Sequence, residues 1–170
     1  MNQPSLAVGI VPAESPAKLL SQDEQAFQRA RMAFGSGDYK TSYRIAAELA
    51  GKGFGPVYNL LHFHYVRGLE VTVDRKKAFE MLRKGVVAGD DKAEANLGGW
   101  YQRGINVEKD YGKALELPSR SAGKGNAVAK TRLAIMYSRG QGVEKDPQRA
   151  LSLYRQVYEQ TKAEAGRGDL

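Results

Sequence analysis

The chain contains no cysteine in its 170 residues. That excludes a disulfide framework, cysteine-ligated zinc and thiol chemistry. Histidine is nearly as scarce: His62 and His64 are the only two, and on a helix residues two apart point in different directions and do not make a metal pair. No apolar run approaches the roughly 18–20 residues needed to span a bilayer. The stretch Leu6 to Val11 is short and has no Lys or Arg before Lys18, so it lacks the form of an export signal. As written, the sequence implies a cytoplasmic protein, or a periplasmic one if its first residue is a trimmed mature start. No Ser-His-Asp set, phosphate-binding glycine loop, metal spacing or nucleic-acid-binding motif is present. Asp90 and Asp91 read as a helix cap rather than a catalytic carboxylate pair. The expectation is a non-enzyme with no cofactor, no metal and no small-molecule substrate.

What the chain does contain is a globular balance, 42% hydrophobic and 26% charged residues, with 19 glycines and a net charge of +7. The charge is unevenly placed. Residues 1–74 carry 7 basic and 7 acidic side chains, and residues 75–170 carry 19 and 12, so the second part holds the whole excess. Acids and bases interleave there, as on a solvated surface, although an anionic partner would also suit it.

The glycines are periodic. Tyr-x-Arg-Gly occurs at Tyr65–Gly68, Tyr101–Gly104 and Tyr137–Gly140, 36 residues apart each time. In register with it stand Val71, Val107 and Val143; Asp74, Asp110 and Asp146; a base at Lys77, Lys113 and Arg149; and Ala78, Ala114 and Ala150. Ala93, Leu97 and Tyr101 recur every fourth residue, as do Ala129, Leu133 and Tyr137, which is one apolar stripe on a helix. The glycine supplies the left-handed residue that ends such a helix, and the aspartate caps the next. Neither helix can bury its stripe alone, so each pair has to stack on its neighbours.

Asp38 is a further copy of the aspartate, preceded by Ala26, Phe27, Ala30, Ala33 and Phe34 and a tight Gly35-Ser36-Gly37 link. The expected architecture is an all-α solenoid of about four antiparallel helix pairs, at 22–51, 55–88, 91–124 and 127–163. Residues 1–21, with Pro4, Pro12 and Pro16, read as an extended or disordered lead, and 164–170 as a frayed tail. The chain is expected to be a monomer.

The run Ala-x-x-x-Leu-Gly-x-x-Tyr-x-x-Gly-x-x-Val-x-x-Asp-x-x-x-Ala, clearest at Ala93–Ala114 and Ala129–Ala150, resembles the Sel-one-like repeat (SLR) family, a tetratricopeptide-like group. The resemblance covers about residues 53–160, and 22–52 more loosely. It implies a right-handed superhelix, with a concave face of first helices that holds a protein or peptide. Bacterial members of that family act as scaffolds and adaptors. Two residues depart from the pattern. His62 stands where Gly98 and Ala134 stand, a position that wants a small side chain, so a locally opened junction is expected there. Pro118 lies inside a second helix, at a cost of about 3 kcal/mol unless the helix kinks, and in the column of Leu82 and Tyr154, so a reduced core contact is expected there.

First-helix positions beside the core stripe are the candidate groove: Asn59, Phe63, Val66, Ala95, Asn96, Gly99, Gln102, Thr131, Ile135 and Ser138. Phe63 and Ile135 would anchor apolar groups, and Asn59 and Asn96 would hold a peptide main chain. Arg67, Arg103 and Arg139 form a ladder that could grip carboxylates or phosphates in bidentate fashion; equally, a cation suits the last turn of a helix. Trp100 reads either as core or as a partner anchor. Two functions follow. One is an adaptor that binds a protein or peptide segment, acidic if it uses the arginines. The other is a binder of an anionic polymer, acidic polysaccharide or nucleic acid, through the basic C-terminal half.

Overall fold

The computed structural model describes residues 20–167, so the lead before Leu20 and the tail end 168–170 lie outside the described residues. Nearly every helix starts where the sequence supplies a side-chain oxygen. Ser21 and Glu24 form a reciprocal capping box at α1 (Gln22–Gly35). Asp38 caps α2 (Tyr39–Gly51), Asp74 caps α4 (Arg75–Val87), Asp90 caps α5 (Asp91–Arg103) and Asp110 caps α6 (Tyr111–Gly123). Asn126 caps α7 (Ala127–Arg139), and the Asp146 carboxylate accepts from the Arg149 N–H at the head of α8 (Pro147–Arg167). The exception is α3 (Tyr58–Arg67), which is entered through a single 3-10 turn, Gly55–Val57. Each side-chain cap is worth about 1 kcal/mol. Among the described residues there is no strand. Helix α8 continues through Glu164 to Arg167.

The 36-residue motif now has a physical meaning. Gly68, Gly104 and Gly140 end α3, α5 and α7 at φ of 70°, 69° and 68°. The carbonyls of Tyr65, Tyr101 and Tyr137 accept from the N–H groups of Asp74, Asp110 and Asp146 at 3.0, 3.2 and 2.9 Å, which closes each loop. Lys77, Lys113 and Arg149 lie over the rings of the same tyrosines, 5.7, 5.0 and 4.4 Å from the centroids. The three tyrosines therefore share one environment, and the recurring base is a cation–π partner. A further column shows in the backbone: Glu70 and Asn106 adopt φ of 61° and 58°, and Gly142, one repeat on, 71°.

Each second helix packs on the next first helix, α2 on α3, α4 on α5 and α6 on α7. Successive first helices also meet, α3 with α5 and α5 with α7, more closely than successive second helices do, so the first helices form the inner side of the solenoid. One core cluster runs from Ala30 through Ile45 and Leu49 to Leu60 and Leu61; the next joins Ala78, Leu82, Ala93, Leu97, Trp100 and Leu117. Glu94 is wholly buried and fastens α5 to α6 through Arg120 (2.8 Å) and Lys124 (3.1 Å).

The expected opening at His62 does not occur. The ring is only 4% exposed. It lies 5.4 Å from Trp100, and its Nδ1 is 3.4 Å from the Ala78 carbonyl. Pro118 does not thin the core either. It is fully buried, and its ring fills the hollow left by Gly98, where a Cβ would lie 2.6 Å from Pro118 Cγ and Cδ. His64 occupies the column of Trp100 and Met136, and Ser42 the column of Ala78. All five of these are buried, and Ser42 Oγ is 3.0 Å from His64 Nε2. The first junction thus carries a polar pair where the next carries Ala78 with Trp100. At the far end, Leu151, Tyr154 and Tyr158 of α8 are exposed, although Tyr154 lies in the column of the buried Leu82 and Pro118.

Candidate functional site: a cleft of arginines along the first helices

Two adjoining hollows run along the inner side. The first, about 640 Å³, lies between α3, α5 and α7 and is lined by Arg67, Arg75, Arg103 and Arg132, with Phe63, Val66 and Ile105 between them. The second, about 390 Å³, shares Arg103 and Arg132 and adds Lys109, Arg139, Ile135 and Tyr111. Neither lining contains a carboxylate. Among the described residues none of these five arginines is ion-paired with an acid. At the N-terminal ends of α5 and α7 a third hollow, about 620 Å³, carries both signs: Lys92 and Lys124 with Asp91 and Glu164.

Arg132 is the centre of the cleft. Its guanidinium lies directly against Gly99, in space that any Cβ at that position would occupy. One NH2 group donates to Asn96 Oδ1 at 3.2 Å, while Nε is buried without a partner. Burial, and then the neighbouring charge of Arg103, push the Arg132 pKa below its ordinary value. His62 in the same wall is pushed down to about 4 by burial, so at neutral pH it adds no charge. Arg103 holds its own helix, Nε donating to the Gly99 carbonyl at 3.1 Å. Arg67 lies over Phe63, 5.3 Å from the ring centroid.

The expected groove residues divide into several groups. Arg67, Arg103, Phe63 and Asn96 line the first hollow, and Ile135, Gln102, Arg103 and Arg139 the second. Asn59 and Asn96 are bonded to each other, Asn96 Nδ2 donating to Asn59 Oδ1 at 2.8 Å, so a peptide main chain would have to break that bond to use them. Gln102 donates to Gln141 at 2.8 Å. Thr131 and Ser138 return their hydroxyls to the carbonyls of Ala127 and Ile135 on their own helix. Ala95 is buried. Trp100, 3% exposed, packs with Ala78 and Leu97 and forms the floor of the first hollow rather than a projecting anchor.

Arg132, Arg75 and His62 complete the cleft and were not among the sequence candidates. Arg132 has no periodic signal, since its column holds Leu60 and Asn96. The one usable sign was the pair Gly98-Gly99 in mid-helix. Each glycine there costs about 0.5–1 kcal/mol relative to alanine, and each is explained by one incoming group, Pro118 for Gly98 and Arg132 for Gly99.

The buried Ser42–His64 pair has the look of a nucleophile and base. His64 Nδ1 donates to the Leu69 carbonyl at 3.0 Å, which leaves Nε2 to accept from Ser42. Both side chains are completely enclosed, so no substrate reaches them and the pair is structural. Among the described residues no group of three His, Asp or Glu side chains is placed to hold a metal, and no helix is long and apolar enough to cross a membrane.

Comparison with known proteins agrees with the fold of repeated helix pairs. The family described as Sel1 repeat matches at residues 63–89, 91–126 and 127–161. A solved structure described as c5321, a protective antigen present in uropathogenic Escherichia coli strains displaying an SLR fold, superposes with a TM-score of 0.65 at 30% identity, over 82% of this chain and 31% of that one. A Sel1 repeat protein from Oxalobacter formigenes gives 0.69 at 25% identity, over 78% and 54%. The chain therefore spans about a third and about half of these two structures. No curated protein matches it.

Proposed function

Because the chain belongs to the Sel1 repeat family, whose members are generally interaction scaffolds, we propose that it is a non-enzymatic adaptor that holds a protein segment along the inner side of α3, α5 and α7. One observation carries this reading: a continuous cleft of two hollows sharing Arg103 and Arg132, with Phe63 and Arg67 from α3, Asn96 and Arg103 from α5 and Arg132, Ile135 and Arg139 from α7 in its walls, completed by the loop residues Ile105, Lys109 and Gln141. A segment lying there would meet equivalent positions at every repeat, which is how a solenoid builds an extended binding face.

Site-specific photocrosslinking in the host tests it. A crosslinker at Phe63, Gln102 or Ile135 on the inner side is expected to capture the same protein from each position. Crosslinkers at the exposed outer positions Arg83, Ser119 and Arg155 are expected to miss it. Capture from the outer positions alone, or of unrelated proteins from each inner one, refutes the groove.

A further inference from the structure

We propose that the cleft around Arg103 and Arg132 selects an acidic peptide segment, whose successive carboxylates replace the counter-charges that the fold leaves out. This rests on the adaptor reading and adds the chemistry of the partner. The first observation is the absence of acid: five arginines and a lysine face two joined hollows with no carboxylate in either lining. At Glu94 the chain does pair a charge that it buries: the enclosed carboxylate is held by both Arg120 and Lys124.

The second observation is Arg132. A partly buried guanidinium with an orphan Nε, beside a second arginine, is an unfavourable arrangement until an anion arrives. Gly99 gives the guanidinium its seat, and Asn96 Oδ1 fixes one edge, leaving the remaining N–H groups for a ligand.

The third observation decides the class of ligand. Arg67, Arg103 and Arg139 repeat along the groove, so the charge is spread over several repeats rather than gathered for one phosphate. Phe63, Val66, Ile105 and Ile135 lie between the arginines, which suits a chain whose acids alternate with apolar side chains. Single-stranded nucleic acid would need exposed rings on which to stack bases. Here Trp100 is buried, Phe63 is already covered by Arg67, and Tyr111 is packed against Gly142.

The test uses the full chain and fluorescence anisotropy with three labelled probes. These are a synthetic peptide of alternating glutamate and leucine, the same peptide with glutamine for glutamate, and an oligonucleotide of equal charge. The acidic peptide is expected to bind and the glutamine peptide not to. Arg103→Gln and Arg132→Gln are each expected to weaken the acidic peptide about tenfold, the loss of one charge-assisted hydrogen bond, while Arg155→Gln on α8 leaves binding unchanged. Arg103 is exposed, so its variant reports on binding even if Arg132→Gln perturbs folding. Equal affinity for the glutamine peptide, no effect of Arg103→Gln, or tighter binding of the oligonucleotide through the same arginines overturns the proposal. The crosslinks from Phe63 and Ile135 do not depend on the probe. Their persistence without acidic-peptide binding would leave the adaptor groove standing and remove only its acidic specificity.

Discussion

Replacing Gly98 by alanine tests whether the departures from the repeat are fitted to each other. On an open helix the change would stabilise the chain by about 0.5–1 kcal/mol, since glycine is the costlier helix residue. Here the new Cβ would stand 2.6 Å from both Cγ and Cδ of Pro118 and 3.5 Å from the Ala114 carbonyl oxygen. Ordinary contact begins near 3.4 Å, so the ring has to retreat by about 0.8 Å. A proline ring cannot swing aside, because it is closed onto its own backbone; α6 must move instead. Overpacking of this kind costs about 1–3 kcal/mol, which outweighs the gain in propensity and leaves Gly98→Ala destabilising by about 1–2 kcal/mol. Ala134, buried in the same column of a repeat whose second helix carries Tyr154 in place of the proline, shows that the position accepts a Cβ. In a Pro118→Ala background, where the Ala114 carbonyl also regains an N–H partner, the same substitution is expected to stabilise by up to about 1 kcal/mol. The cycle should therefore show a coupling of about 2 kcal/mol. Urea denaturation followed by far-UV circular dichroism and by Trp100 fluorescence measures it. A higher midpoint for Gly98→Ala alone, or additivity of the two substitutions, refutes the reasoning.

Three further outcomes follow from the same structure. His62 titrates near 6.5 when unfolded and about 4 when folded, so between these values the unfolded chain takes up a proton that the folded chain refuses. Its contribution is complete above pH 6.5 and lost as the pH falls towards 4, by up to about 3 kcal/mol, and His62→Ala should flatten the pH dependence of the urea midpoint over that window; an unchanged slope counts against it. Glu70→Gly relieves a left-handed residue at φ 61° and should raise the thermal midpoint, for a gain of about 0.5–1 kcal/mol; a lower midpoint would show that the Glu70 side chain outweighs the strain. Ser42→Ala leaves the buried His64 Nε2 without a partner and should cost about 1–3 kcal/mol, most of it recovered in the double variant with His64→Met, as the Met136 column suggests; a neutral Ser42→Ala in chemical denaturation would refute this.

The solenoid was legible because its requirements are local and recur. A helix needs an oxygen at its head and a left-handed residue at its tail, and Asp74, Asp110 and Asp146 with Gly68, Gly104 and Gly140 state both at fixed spacing. Lys77, Lys113 and Arg149 were visible as a column, but their contact with the tyrosine rings was not, since that contact depends on how the loop folds back. His62 was misjudged for a different reason. The opposing face, with Trp100 and the Ala78 carbonyl, is supplied by other helices and has no place in a one-dimensional pattern. The cleft was half legible: Arg67, Arg103 and Arg139 repeat, while Arg132 and Arg75 do not.

That division bears on where specificity resides. Residues that recur at every turn of the array serve the fold as well as any ligand, and a helix-terminal arginine beside Gly68, Gly104 or Gly140 is among them. The chain's own chemistry is to be sought where columns break. Three breaks are buried and paired across junctions: Ser42 with His64, Gly98 with Pro118, and Gly99 with Arg132. The first closes on itself, serine to histidine to the Leu69 carbonyl. The second is an apolar fit with no group left over. The third alone remains incomplete, with an orphan guanidinium nitrogen and no acid in reach, at a cavity open to solvent. A fold that satisfies its buried polar groups in one place and not in another at similar depth has left the second for something outside the chain.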